Sequence, residues 1–147
     1  MNNMNDFETL MKQLIRDEGL VSHAYPDSLG FLTIGVGRLI DARKGGGLSH
    51  EEIMYLLRND VVKHTKSITD HLGWADPSVI GAARFAALIN MHFQLGDNLW
   101  KFVNTLKLME EGKWEEASIE MLKSLWAQQT PARARRVAEQ IKTNQWM

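Results

Sequence analysis

The sequence predicts an α+β fold, mostly α. A small N-terminal lobe with a β-hairpin and a larger C-terminal helical lobe are joined by a long helix. Three observations predict it. Helical periodicity lapses once, between Leu20 and Ile40, where Pro, Gly and β-branched residues gather. On both sides it recurs with capping signals. One apolar stripe, Ile53, Leu56, Leu57, Val61, Ile68 and Leu72, continues long enough to bridge two lobes, roughly 35 Å at 1.5 Å per residue.

The first helix is expected over Asn5 to Glu18. Phe7, Leu10, Met11, Leu14 and Ile15 repeat on one face, Asn5 and Glu8 read as a capping box, and Gly19 stops the run. Next, PDSLG at 26–30 is a turn between short runs carrying Tyr25 and then Phe31, Thr33, Ile34 and Val36, which makes a hairpin with room for a third strand. The triple glycine at 45–47 reads as a flexible joint, and Ser49 with Glu52 opens the long helix. Asp76-Pro77 is a cap followed by proline. Val79 to Phe93 is apolar on nearly all sides and reads as a buried central helix. Helices follow over Asn98 to Glu111, Lys113 to Trp126, and from Thr130-Pro131 to about Lys142. The small lobe then covers about 15–60, and the helical lobe about 61–147 together with the first helix. The cleft between the lobes is the default site.

Composition narrows the function classes. The 147 residues include no cysteine, so disulfides, thiol chemistry and zinc thiolate sites are excluded. A net charge of −1 disfavours general nucleic-acid binding. No run approaches the length of a membrane span, and MNNMNDFETLMKQ lacks the features of a signal peptide, so a cytoplasmic protein is expected. The five histidines show no metal-ligand spacing and no phosphate-binding glycine motif is present, so neither metal nor nucleotide cofactor is expected. Residues 121–147 carry five bases against Glu139 alone. That basic end is either a solvated helix face or a surface for an anionic partner. Of the five tryptophans, Trp126 is the expected core anchor and Trp146 lies loose at the terminus.

The chemistry concentrates between Glu18 and Gly37. Glu18 ends the first helix, Asp27 sits in the turn, and Thr33 follows on the next strand. By chance this composition would produce that Glu, Asp, Thr spacing about 0.03 times. Glu8/Asp17 and Glu51/Asp60 repeat the first interval without the threonine. A helix C-terminus disfavours a carboxylate, and Leu14 and Leu20 are candidates to desolvate Glu18. Asp27, in a polar turn, should stay ionised. Two carboxyl groups set apart in this way suit an acid and its counterpart in glycoside hydrolysis.

Read with their surroundings, RDEGL at 16–20, YPDSLGFLTIGVG at 25–37, NMHFQLG at 90–96 and SLWAQQTPARARRV at 124–137 resemble the T-even phage lysozymes, glycoside hydrolase family 24. The resemblance covers essentially the whole chain. It implies a lysozyme-like fold and a muramidase that hydrolyses the β-1,4 bond between N-acetylmuramic acid and N-acetylglucosamine in peptidoglycan. In that role Glu18 is the general acid, and Asp27 and Thr33 serve the opposite face of the sugar. An inverting geometry would set the carboxyl groups roughly 6.5–9.5 Å apart. The resemblance also implies glycan contacts at Leu39, Phe93 and Thr105, to which the reading of the central helix adds Gln94. It implies no cofactor, and it implies a monomeric endolysin stored in the host bacterial cytoplasm and released through the membrane. Two positions depart from the family pattern: Arg38 stands where a histidine is usual, and Glu120 where an asparagine contact is expected. Two alternatives stay open. A lytic transglycosylase needs the acid but not Asp27. An envelope-disrupting protein would act through the basic C-terminal helix, to which Arg133, Arg135 and Arg136 with Val137 and Ile141 give a modest amphipathic character, in contact with anionic lipid.

Overall fold

In a computed structural model, which describes residues 4–147, the chain forms two compact units, one running to Tyr55 and one over Leu56–Met147. The first unit opens with α1 (Met4–Glu18), closed by Gly19, whose amide donates to the Ile15 carbonyl at 2.9 Å. Asn5 already lies inside this helix rather than capping it. The apolar stripe of α1 is exposed, and no residue of the helix is buried.

The expected hairpin has its third strand. Strands β1 (Val21–Pro26), β2 (Leu32–Gly35) and β3 (Arg38–Leu39) form an antiparallel sheet in the order 1-2-3. Its register sets Tyr25 opposite Thr33, Thr33 opposite Leu39 and Ile34 opposite Arg38. The triple glycine is a hydrogen-bonded turn rather than a loose joint. The Gly45, Gly46 and Gly47 amides donate to the Ala42, Asp41 and Leu39 carbonyls at 3.1, 3.0 and 3.2 Å. Asp41 anchors this loop through Arg43, which holds its carboxyl far below the usual carboxylate range.

Helix α2 (His50–His71) starts at the capping box that the sequence predicts. The Glu52 amide donates to Ser49 Oγ at 3.2 Å, and the Ser49 amide donates to Glu52 Oε2 at 2.8 Å. The helix begins in the first unit and ends in the second.

The second unit is helical throughout. Asp76 caps α3 (Pro77–Ile80), but the expected single helix breaks at Gly81 before α4 (Ala82–Leu95). A short 3₁₀ segment, Gly96–Lys101, precedes α5 (Val103–Glu110). The expected Lys113–Trp126 helix divides into α6 (Trp114–Met121) and α7 (Leu125–Gln129), because Ser124 Oγ accepts the Ala127 amide and starts a new helix. Helix α8 (Pro131–Thr143) closes the fold. Ile68, Leu88, Met91, Leu99, Met109, Met121 and Ile141 are wholly buried, with Trp126 among them. Trp146 is exposed.

Helix α8 commits its apolar face to this core: Ala134, Val137, Ala138 and Ile141 are buried, while Arg135 and Arg136 are exposed. Its arginines thus reach solvent, but its apolar residues are not free to enter a lipid surface. Among the described residues no helix is long and apolar enough to cross a membrane.

Candidate active site

The first unit brings four of the candidate residues onto or beside its sheet. Glu18, the last residue of α1, is exposed, and its carboxyl lies on Gly37 in the turn between β2 and β3. A Cβ at Gly37 would stand 2.9 Å from Glu18 Oε2 and 3.1 Å from its Cδ. Leu14 and Leu20 do not enclose it, since both remain exposed. The acid therefore meets backbone rather than an apolar pocket.

Asp27 follows β1 and organises the turn by hydrogen bonding. Its Oδ1 accepts from the Leu29 amide at 2.9 Å and the Phe31 amide at 2.8 Å, while its own amide donates to the Phe31 carbonyl at 2.8 Å. One carboxylate oxygen is thus spent on the turn, and no hydrogen bond to the other appears among the described residues. Thr33, only 5% exposed, donates from Oγ1 to the Phe31 carbonyl at 3.1 Å. Asp27 and Thr33 are therefore tied to the same residue, Phe31. Leu39, half-buried on β3, faces Thr33 across the ladder.

The second unit carries the other three. Phe93, 40% exposed, lines a hollow of about 360 Å³ with Leu57, Val61, Ile89 and Arg133. Thr105, 3% exposed, lines a separate hollow of about 290 Å³ with Lys101, Glu120 and Lys123. Gln94 Oε1 accepts the Trp126 indole N–H at 2.8 Å, which ties this candidate contact to the core. Arg133 has a structural partner, donating from Nε to Asn90 Oδ1 at 3.0 Å and from its terminal nitrogen to the Asn90 carbonyl at 3.2 Å. Among the described residues no group of three or more metal-ligating side chains is gathered.

Three features escaped the sequence reading. The first is the contact of Glu18 with Gly37. The second is the partner of Arg38, which donates to Glu52 Oε2 at 2.7 Å. That carboxylate, already capping α2, is held below its ordinary pKa by the Ser49 amide first and then by Arg38. The third is a histidine pair: His64 Nδ1 and His92 Nδ1 are 2.7 Å apart, and His64 also packs against the Phe93 ring. His92 is 4% exposed, and its buried Nε2 has no hydrogen-bond partner among the described residues, with Asp97 Oδ1 at 3.5 Å.

Two Nδ1 atoms this close bond through a single proton, which one ring donates and the other accepts. Burial, followed by the charges of His92 and Lys63, lowers the His64 pKa from the ordinary 6.5, with Asp60 opposing. The unfolded chain therefore takes up this proton first as pH falls. The stabilising contribution is fully present above about pH 6.5 and is lost as pH drops through that value toward the folded pKa. Thermal melts from pH 7.5 to 5 should show Tm falling, with a shallower slope in His64→Gln. An identical slope in the variant would remove His64 as the cause.

The comparisons with known proteins agree with this architecture. The family model described as phage lysozyme matches residues 15–139. Two proteins of Dictyostelium discoideum are similar over most of both chains. The probable T4-type lysozyme 1 is 33% identical, covering 86% of this chain and 89% of the relative. The probable T4-type lysozyme 2 is 34% identical, covering 92% and 94%. The pre-baseplate central spike protein Gp5 of Enterobacteria phage T4 is 32% identical over 92% of this chain, which is 28% of that larger protein. A helical fold with a small three-stranded sheet, matched to that family over most of its length, makes this chain a member of the phage lysozyme family, a lysozyme-type peptidoglycan hydrolase.

Proposed function

We propose that the enzyme is a muramidase that cleaves the β-1,4 bond between N-acetylmuramic acid and N-acetylglucosamine by hydrolysis, with Glu18 as general acid and Asp27 and Thr33 positioning the attacking water. The observation that carries this reading is the convergence of Asp27 and Thr33 on Phe31. Asp27 Oδ1 accepts the Phe31 amide, and Thr33 Oγ1 donates to its carbonyl. A carboxylate and a hydroxyl are thereby fixed to one rigid turn. The Asp27 oxygen not spent on the turn is an acceptor for a water proton, and the Thr33 oxygen keeps lone pairs for another. The acid protonates the leaving oxygen, and water held by the second carboxylate attacks the opposite face of the ring.

Leu39, Phe93, Gln94 and Thr105 are assigned to glycan contact on the same reading. A lysozyme of this kind, released through a breached membrane, would act as an endolysin on the host wall.

Mass spectrometry of muropeptides from purified peptidoglycan tests the reaction. Wild type should release reducing ends, and Asp27→Asn should release few or none while keeping its fold. The asparagine oxygen still accepts the Leu29 and Phe31 amides, so this substitution removes charge without removing the turn. Products ending in 1,6-anhydro sugar would replace hydrolysis with transglycosylation and leave Asp27 without its assigned task.

A further inference from the structure

We infer that Gly37 is a positioning residue for the Glu18 carboxyl, and that the Arg38–Glu52 ion pair holds the turn that carries it. The inference rests on Glu18 being the acid proposed above. An acid at the end of a helix, on an exposed side chain with several rotors, needs something to select one arrangement. No hydrogen bond from another side chain to Glu18 appears among the described residues, and neighbouring leucines do not wall it in. What meets it is the bare Cα of Gly37, at a distance where only hydrogen fits.

The turn itself is fixed from both sides. Ile34 pairs with Arg38 across it, and Gly37 takes a φ of +65°. Arg38, the next residue, donates to Glu52 Oε2 at 2.7 Å, and the same oxygen accepts the Ser49 amide at the start of α2. An exposed ion pair contributes little to global stability. Here its consequence is local, because it ties the strand end beside Gly37 to a helix terminus. Arg38 therefore has a partner of its own at the position where the family resemblance leads one to expect histidine.

The same turn supplies a control. Gly35 also has a left-handed φ, +70°, but a Cβ there would meet nothing within 4 Å. Gly35→Ala and Gly37→Ala therefore carry the same kind of backbone strain, and only the second pushes on Glu18. An ordinary carbon–oxygen contact lies near 3.4 Å, so the Gly37→Ala methyl, at 2.9 Å, would displace the carboxyl by about half an ångström. A 1 Å misplacement costs about 100-fold in rate, so about tenfold is expected here.

Purified wild type, Gly35→Ala, Gly37→Ala, Arg38→Gln, Arg38→Lys and Glu18→Gln would be compared on soluble peptidoglycan fragments. Gly37→Ala should lose about tenfold in kcat with KM within about twofold, and should move the Glu18 carboxyl ¹³C resonance at fixed pH. Gly35→Ala should melt earlier yet keep kcat and that resonance. Should Gly37→Ala fail to fold, Arg38→Gln frees the turn without adding an atom, so it should lower kcat about threefold and broaden the resonance, with Arg38→Lys restoring both. Equal kcat in the two alanine variants, or an Arg38→Gln enzyme indistinguishable from wild type, would overturn the inference alone. An active Glu18→Gln would overturn the assignment of the acid, and the inference with it.

Discussion

Glu18→Gln is expected to lower kcat for peptidoglycan hydrolysis by about 10²–10⁴-fold, with KM and Tm close to wild type. The range corresponds to about 2.7–5.5 kcal/mol of transition-state stabilisation. Glutamine keeps the shape that rests on Gly37 but cannot give up a proton to a leaving alkoxide. Because Glu18 is exposed and forms no ion pair among the described residues, the substitution leaves no orphaned partner, so the fold should tolerate it. Steady-state kinetics on soluble fragments beside a thermal melt separates the two effects. Residual activity above a tenth of wild type would take the acid's role away from Glu18. A parallel loss of Tm would make Glu18 a structural residue.

What was legible in the sequence was what local chemistry decides. The Ser49–Glu52 box, the Asp76 cap and the Gly19 stop each rest on groups a few residues apart, and the structure contains all three. The turn from Asp27 to Phe31 is local in the same sense, and this is why the sequence alone puts Asp27 and Thr33 in one small region. What was not legible depends on partners distant in the chain. His64 meets His92 across 28 positions, and metal-ligand spacing, the usual way to notice histidines, is blind to a pair that shares a proton. Phe93 and Thr105 share a lobe, yet they line separate hollows because α4 and α5 are separated by a 3₁₀ segment that apolar periodicity does not distinguish from a helix. The seat of Glu18 depends on the absence of a side chain at Gly37, and a sequence gives no sign of which glycine another residue leans on.

Gly81 is the strongest such case outside the site, and Gly81→Ala is expected to destabilise the protein by about 2–4 kcal/mol. Gly81 has φ +98° and ψ 147°, a region essentially restricted to glycine, where an alanine stores about 1–3 kcal/mol of strain. A Cβ would also fall within the side chain of Asn144, whose Oδ1 accepts the Arg84 amide at 3.2 Å. Displacing that amide adds about 1 kcal/mol for the lost bond. The consequence reaches further, because Arg84 clasps the end of α8 through the Ile141 and Lys142 carbonyls at 2.8 and 3.1 Å, with its guanidinium 4.3 Å above the Trp114 ring. The bare Gly81 at the break between α3 and α4 thus leaves room for the Asn144 side chain at the end of α8, and nothing near Gly81 in sequence announces it. Urea unfolding should show the loss as a lower midpoint at unchanged slope. Gly73→Ala, where a Cβ meets nothing within 4 Å, should stay within about 0.5 kcal/mol. Asn144→Gly in the Gly81→Ala background relieves the collision but not the backbone strain. The double variant should therefore be less destabilised than the sum of the singles, while strict additivity would show that the two residues do not collide.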